Sequence, residues 1–246
     1  MLVIAHRGGA LLAPENSAAA FQAAAAAGAD AVETDVRRTK DGALICFHDS
    51  DLLRLAGDPR NVGDIDLTTL RALVPSLLTL HEAIVVSEPL RLLLDVKLRD
   101  ARILEEILTT VDACDAAERV IFGLRNLSSI VALRGRRSDA DILAFLDDPD
   151  SAPAARAAGA NWFRLWQGDM TEARIAAVRR EGLRLAIMVG QPREVPSPRE
   201  WPPFPVGKID RAGIETLFAF ASDAILLDDP QLVALSPRAV TAMSSP

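Results

Sequence analysis

Long apolar runs, blocks of like charge, Gly/Ser tracts and a cysteine framework are all missing from this chain of 246 residues. Each absence removes a class of protein. No stretch is long enough to cross a bilayer and no basic amphipathic segment offers a surface foothold, so no stable membrane anchor is expected. Cys46 and Cys114 are the only cysteines, too few for a disulfide scaffold. Cys46 sits in an apolar, strand-like run, which suits a small buried hydrophobe in a reducing compartment. The net charge is −7 and the charges are mixed along the chain, whereas a phosphate backbone rewards clustered Lys and Arg, so nucleic acid is not an expected partner. No linker divides the chain, which predicts one domain over residues 1–246. A site residue at His6 leaves no room for a signal peptide, and the expected location is cytoplasmic.

What is present is half hydrophobic residues in a chain of the size usual for an eight-fold β/α barrel. Strand and helix patterns alternate along it. Short apolar runs predict strands at Leu2–Ala5, Ala31–Val36, Leu92–Val96, Val120–Leu124, Ile142–Leu146, Trp162–Trp166, Leu183–Val189 and Ala224–Leu227. Between them fall helical patterns. The first runs from about Ser17 to Ala27, with Asn16 as its expected N-cap and Gly28 as its stop. Ile103, Leu104, Ile107, Leu108 and Val111 form one apolar stripe behind Asp100, and Thr171 opens a further helix to Arg180. Asp41-Gly42 signals a tight turn into Leu44–Phe47, a small hairpin after the second strand. Eight such units predict a single-domain α/β fold, a closed (β/α)8 TIM barrel with right-handed crossovers, against an open doubly wound sheet as the competitor. Residues 192–206 are crowded with proline beside Trp201 and Phe204. This segment follows the seventh strand on the catalytic face, as a lid over substrate or as a stiff surface loop.

Only three histidines occur, and two of them, His6 and His48, fall inside neighbouring polar motifs; His81 lies outside them and reads as structural. Glu33 and Asp35 are one residue apart in an apolar run, so on a strand they leave the same face. Two acids there are costly to bury without a cation or a basic partner such as Arg37 or Arg38. Arg7 can grip two phosphate oxygens at once, and imidazole suits proton transfer near neutral pH. Carboxylate pair, proton carriers and guanidinium together form a kit for phosphoester chemistry. Glu15 and Asn16 read as helix-entry residues.

The motifs His6-Arg7-Gly8, Pro14-Glu15-Asn16-Ser17, Glu33-Thr34-Asp35-Val36, Thr39-Lys40-Asp41-Gly42 and His48-Asp49 resemble the N-terminal signature of the glycerophosphodiester phosphodiesterase family. Weaker similarity continues in Leu94-Asp95-Val96-Lys97 and from Ser222 through Asp229-Pro230. The resemblance implies a barrel hydrolase that converts a glycerophosphodiester, a small-molecule substrate, to glycerol 3-phosphate and an alcohol. It implies His6 and His48 as the acid/base pair, and Arg7 and Lys97 as phosphate contacts. It also implies Glu33, Asp35 and Asp95 as ligands of one divalent cation, Mg²⁺ or Ca²⁺. The oligomeric state is left open. Two alternatives remain: a related phospholipase-type barrel acting on intact lipid, and a catalytically silent barrel that binds phosphorylated ligands.

Three departures from the family pattern stand out. Asp95 replaces a glutamate and is shorter by one methylene. Ile187-Met188-Val189-Gly190 replaces a Trp-Thr-type element at the end of the seventh strand, which alters the alcohol side of the pocket. The segment between Asp49 and Leu94 is short, leaving little material to cap the glycerol.

Overall fold

The computed structural model describes residues 1–98, 100, 102–191 and 205–234. Eleven strands follow in chain order: β1 (Leu2–Ala5), β2 (Ala31–Arg38), β3 (Leu44–Cys46), β4 (Asp51–Leu52), β5 (Asp58–Asn61), β6 (Arg91–Val96), β7 (Val120–Leu124), β8 (Asp141–Ala144), β9 (Trp162–Trp166), β10 (Arg184–Met188) and β11 (Ala224–Leu227). The helices are α1 (Ala18–Ala26), α2 (Leu53–Ala56), α3 (Leu67–Leu73), α4 (Leu80–Val86), α5 (Arg102–Ala113), α6 (Leu127–Arg136), α7 (Ala152–Ala158), α8 (Glu172–Arg180), α9 (Arg211–Phe218) and α10 (Gln231–Ala234).

Strands β2, β6, β7, β8, β9, β10, β11 and β1 pair in parallel in that order, and β1 returns to β2, so the sheet closes. This is the expected (β/α)8 barrel. The hairpin is also present: β3 runs antiparallel to β2, with Val36 opposite Cys46. Most of the excursion between Asp49 and Leu94 forms a small subdomain. Ile45, Phe47, Leu52, Val62, Ile65, Leu70 and Leu77 make its own apolar core.

Local chemistry explains the helix starts. Thr79 and Glu82 form a capping box on α4, each side chain bonding the other's backbone N–H. Thr171 caps α8 as expected. Helix α1 is capped by Ser17, not by Asn16: the Ser17 hydroxyl accepts from the Ala20 N–H. Asn16 sits at φ 53°, in the left-handed region, and its amide is used elsewhere. The stripe on α5 is buried as its spacing predicts. Each such side chain contributes about 1.5–3 kcal/mol of transfer free energy.

The parity of each strand divides the molecule into two layers. Val32, Val36, Leu92, Leu94, Phe122, Phe163 and Leu165 face outward, into the core shared with the helices. Ile4, Ala31, Leu93, Ile121, Leu143, Trp162, Ala186 and Leu226 face inward and fill the barrel. Moving two residues toward the C-terminal end of a strand keeps the same face. The inward series therefore continues upward from Ile4 to His6, from Ala31 to Glu33 and Asp35, from Leu93 to Asp95, and from Trp162 to Arg164 and Trp166. Polar groups replace hydrocarbon at the C-terminal mouth, where barrels of this kind place their chemistry.

Candidate active site

A cavity of about 420 Å³ opens at that mouth and is lined by His6, Arg7, Glu33, His48, Asp95 and Lys97 among others. Six of the seven residues singled out from the sequence line it. The seventh, Asp35, is 1% exposed and lies just behind its wall, level with Asp95 in the β2–β6 register.

The two histidines are held alike. His6 Nδ1 lies 2.6 Å from Asp228 Oδ1, and His48 Nδ1 lies 2.7 Å from Asp49 Oδ1. Each carboxylate accepts from Nδ1–H, which leaves Nε2 as the nitrogen available to the cavity. Their protonation differs. Burial depresses the His6 pKa, but the Asp228 hydrogen bond and the Glu33 charge outweigh it, and the net shift is upward. Burial also depresses His48, and there the attraction of Asp35 is too weak to reverse it against Arg7 and Lys97, so the net shift is downward.

Glu33, Asp35 and Asp95 each offer a carboxylate oxygen within 4.8 Å of the others. All three are buried. Burial and the neighbouring Asp35 charge push Glu33 up to about 8. Asp35 and Asp95 are held well below the usual carboxylate range, because Lys97 outweighs their desolvation, for Asp95 together with Arg125. The Lys97 ammonium lies 2.5 Å from Asp95 Oδ2 and 2.9 Å from Asp35 Oδ1. Arg125 grips Asp95 with two parallel bonds, from Nε at 2.7 Å and from Nη2 at 2.5 Å.

A divalent cation fits this donor set. The oxygens are hard, Asp35 Oδ1 is a buried acceptor with no aligned hydrogen bond among the described residues, and the three acids form ion pairs there with Lys97 and Arg125 alone. Glu33 and Asp35 carry the less engaged oxygens. Asp95 is shared with Lys97 and Arg125, so Lys97 is tied to the acids as well as facing the cavity.

Arg7 occupies a left-handed turn at φ 50° that aims its backbone N–H at Glu33 Oε2, 2.7 Å away. Its Nη1 bonds Glu15 Oε2 at 3.1 Å, while its Nε is buried without a partner among the described residues. Arg54 on α2 bridges Glu15 and Asp49, with Nη2 at 2.5 Å from Glu15 Oε1 and Nε at 2.6 Å from Asp49 Oδ2. Glu15 thus links Arg7 to the subdomain that carries the His48 carboxylate. Asn16 donates from its amide to Asp35 Oδ2 at 3.0 Å and accepts from the Thr34 hydroxyl at 2.7 Å. Arg37 does not pair with Glu33 or Asp35; its Nε donates to the His48 carbonyl at 2.9 Å.

Asp228, Asp49, Asn16 and Arg125 are the site residues that motif reading left without these roles. Asp228 lay inside a stretch already singled out, Ser222 to Asp229, so a signal existed. His81 is exposed on α4 and outside the cavity. The proline-rich segment lies outside the described residues except for Pro205 and Val206, and Val206 lines the cavity.

Fold and site together define a (β/α)8 barrel with carboxylates, imidazoles and guanidinium groups gathered at its C-terminal mouth. The model of the glycerophosphoryl diester phosphodiesterase family matches residues 6–189, and the chain belongs to that family. A glycerophosphodiester phosphodiesterase of Caldanaerobacter subterraneus is 44% identical over 72 residues, which cover 29% of this chain and 30% of that relative. The chain thus spans about a third of that relative's length. A glycerophosphodiester phosphodiesterase structure from Agrobacterium tumefaciens shares the fold at TM-score 0.74, with 19% identity over 95% of this chain and 99% of the other. An Oleispira antarctica phosphodiesterase, solved in complex with the product sn-glycerol-3-phosphate, shares it at TM-score 0.72, with 19% identity, covering 100% of this chain and 97% of the other.

Proposed function

We propose that this protein hydrolyses a glycerophosphodiester to glycerol 3-phosphate and an alcohol, as a phosphoric diester hydrolase with His6 and His48 as its acid and base. One observation carries the reading: two carboxylate-backed imidazoles, an arginine whose buried Nε has no partner among the described residues, and three acids line or adjoin a single cavity. Family membership and the product named for the Oleispira relative point the same way.

The opposed shifts of the two imidazoles divide the work. His48 is the more readily neutral, so its Nε2 takes the proton of the attacking hydroxyl as the new P–O bond forms. His6 is the more readily protonated, so its Nε2–H delivers a proton to the alcohol oxygen as the old P–O bond breaks. Arg7 holds the phosphate oxygens, assisted by the ammonium of Lys97. Glu33 and Asp35, with Asp95 beside them, would hold Mg²⁺ or Ca²⁺, which when bound polarises the phosphoryl oxygens and absorbs developing negative charge.

The test is release of glycerol 3-phosphate from a panel of glycerophosphodiesters, with and without chelator, in the wild type and in His6→Ala and His48→Ala. Chelation abolishes turnover, and each substitution lowers kcat by at least about 10². Wild-type turnover in both variants would remove the assigned roles.

A further inference from the structure

Arg164 has no role in the mechanism above, and its surroundings are unusual for a barrel interior. It lies on β9 between Trp162 and Trp166 on the inward face, and its register partner on β10 is the small Ala186. It is 4% exposed. Among the described residues no carboxylate forms an ion pair with it, its Nε has no hydrogen-bond partner, and its Nη2 reaches only the Leu146 carbonyl at 3.2 Å. The guanidinium is held by ring faces, 5.5 Å from the Phe145 centroid and 4.8 Å from that of Trp166.

A buried cation without a counter-ion is costly, and hydrocarbon would fill the same volume more favourably. Burial and the neighbouring charge of Arg125 pull the Arg164 pKa down to about 10, which still leaves it charged at neutral pH. Arg125 lies over the same Phe145 ring at 5.7 Å, and its bonds to Asp95 use Nε and Nη2, leaving Nη1. Arg125, Phe145, Arg164 and Trp166 all line the same cavity as His6 and His48. Asp147, which is exposed, also lines this side, and Asp169 acts on Arg164 from further off without an ion pair.

We propose that this half of the cavity is an anion subsite, in which Arg164 and Arg125 bind a carboxylate or phosphate carried by the alcohol part of the substrate. The inference rests on the phosphodiesterase reading, under which the scissile phosphate belongs to the end that holds His6, Arg7 and His48. Glycerol carries no charge, so a second anion must belong to the departing alcohol. The preferred substrates are then glycerophosphodiesters of anionic alcohols. Arg164 discriminates among them and takes no part in proton transfer.

The test compares two matched esters of glycerol 3-phosphate, one with 3-hydroxypropionate and one with 1-propanol, with Mg²⁺ supplied. A charge-assisted hydrogen bond is strong enough to favour the anionic ester in kcat/KM by about 10- to 100-fold. Arg164→Met collapses that ratio toward unity, and Arg164→Lys retains part of it. The ratio is the readout because a folding defect lowers both rates together. Wild-type protein that hydrolyses both esters equally, or prefers the propyl ester, overturns the anion subsite and leaves the phosphodiesterase reading intact. Failure to hydrolyse either ester, or any member of the wider panel, overturns both.

Discussion

Each cavity histidine is defined by the carboxylate behind it, and the two carboxylates come from very different places. Asp49 is the next residue after His48, whereas Asp228 is 222 positions from His6. Asp228 is also tightly seated. Gly207, at φ 74°, bonds its backbone from the adjoining loop, and a Cβ on Gly207 would fall 2.1 Å from Asp228 Oδ1. Asp228→Asn leaves an oxygen that can accept from His6 Nδ1–H but removes the negative charge that strengthens this bond and helps raise the His6 pKa. As the proton donor of the proposed mechanism, His6 would set the alkaline limb of the kcat/KM profile, so the variant is expected to move that limb to lower pH. Turnover falls by at least about tenfold, since proton-transfer groups are worth 10²–10⁴-fold. An unmoved limb would remove Asp228 from its positioning role. At this scale the sequence was informative where the chemistry was local. Both histidines, Arg7 and the acid pair were legible because they sit in short motifs with fixed spacing. Asn16 was misassigned because its side chain suits a helix cap and a carboxylate contact equally, and Ser17 beside it competes for the cap.

Strands carry the next level of information. Alternation shows which residues share a face, and the count of eight strand–helix units makes the barrel legible in the sequence. Register was not readable. Nothing in Trp162–Trp166 reveals that Arg164 stands beside Phe145, because that contact depends on how β8 and β9 are offset. Arg125 met Asp95 for the same reason, across the β6–β7 pairing. Gly123 sits at a close approach in this layer. It lies level with Asp95 in register, and a Cβ there would come within 2.3 Å of the Phe145 ring and 3.0 Å of the Leu94 carbonyl. Gly123→Ala therefore displaces Phe145, at a cost of about 1–3 kcal/mol for overpacking. Because Phe145 underlies both arginines, the same substitution reduces the preference between the matched esters. Denaturant melts and the ester ratio check the two effects separately, and a wild-type melting midpoint would refute the packing account.

For the whole molecule, the acids at the barrel mouth couple stability to pH. Glu33 is raised to about 8 from an unfolded value of 4.5, so between those values the folded state holds a proton that the unfolded state has released. Stability from this source is fully present below the unfolded pKa and is lost as pH rises through the folded one. In chelator, the melting temperature therefore declines from about pH 5 to about pH 9. A decline of more than about 2 °C is expected, the shift that 1 kcal/mol produces in a domain of this size. Glu33→Gln flattens the decline. Added Mg²⁺ raises the melting temperature most at the alkaline end, where ionised Glu33 is free to bind it. A wild-type slope that survives in the Gln variant would place the effect elsewhere. Within the described residues no helix is long and apolar enough to cross a membrane.

The seam where β1 meets β11 has a consequence for biosynthesis. The imidazole that follows the first barrel strand waits for an aspartate that emerges only after seven further barrel strands. A nascent chain stalled before that last strand would carry every motif of its first fifty residues and still lack the partner that tunes His6. His6 thus meets Asp228 only in the step that closes the ring, since both lie at the seam of the first and last barrel strands.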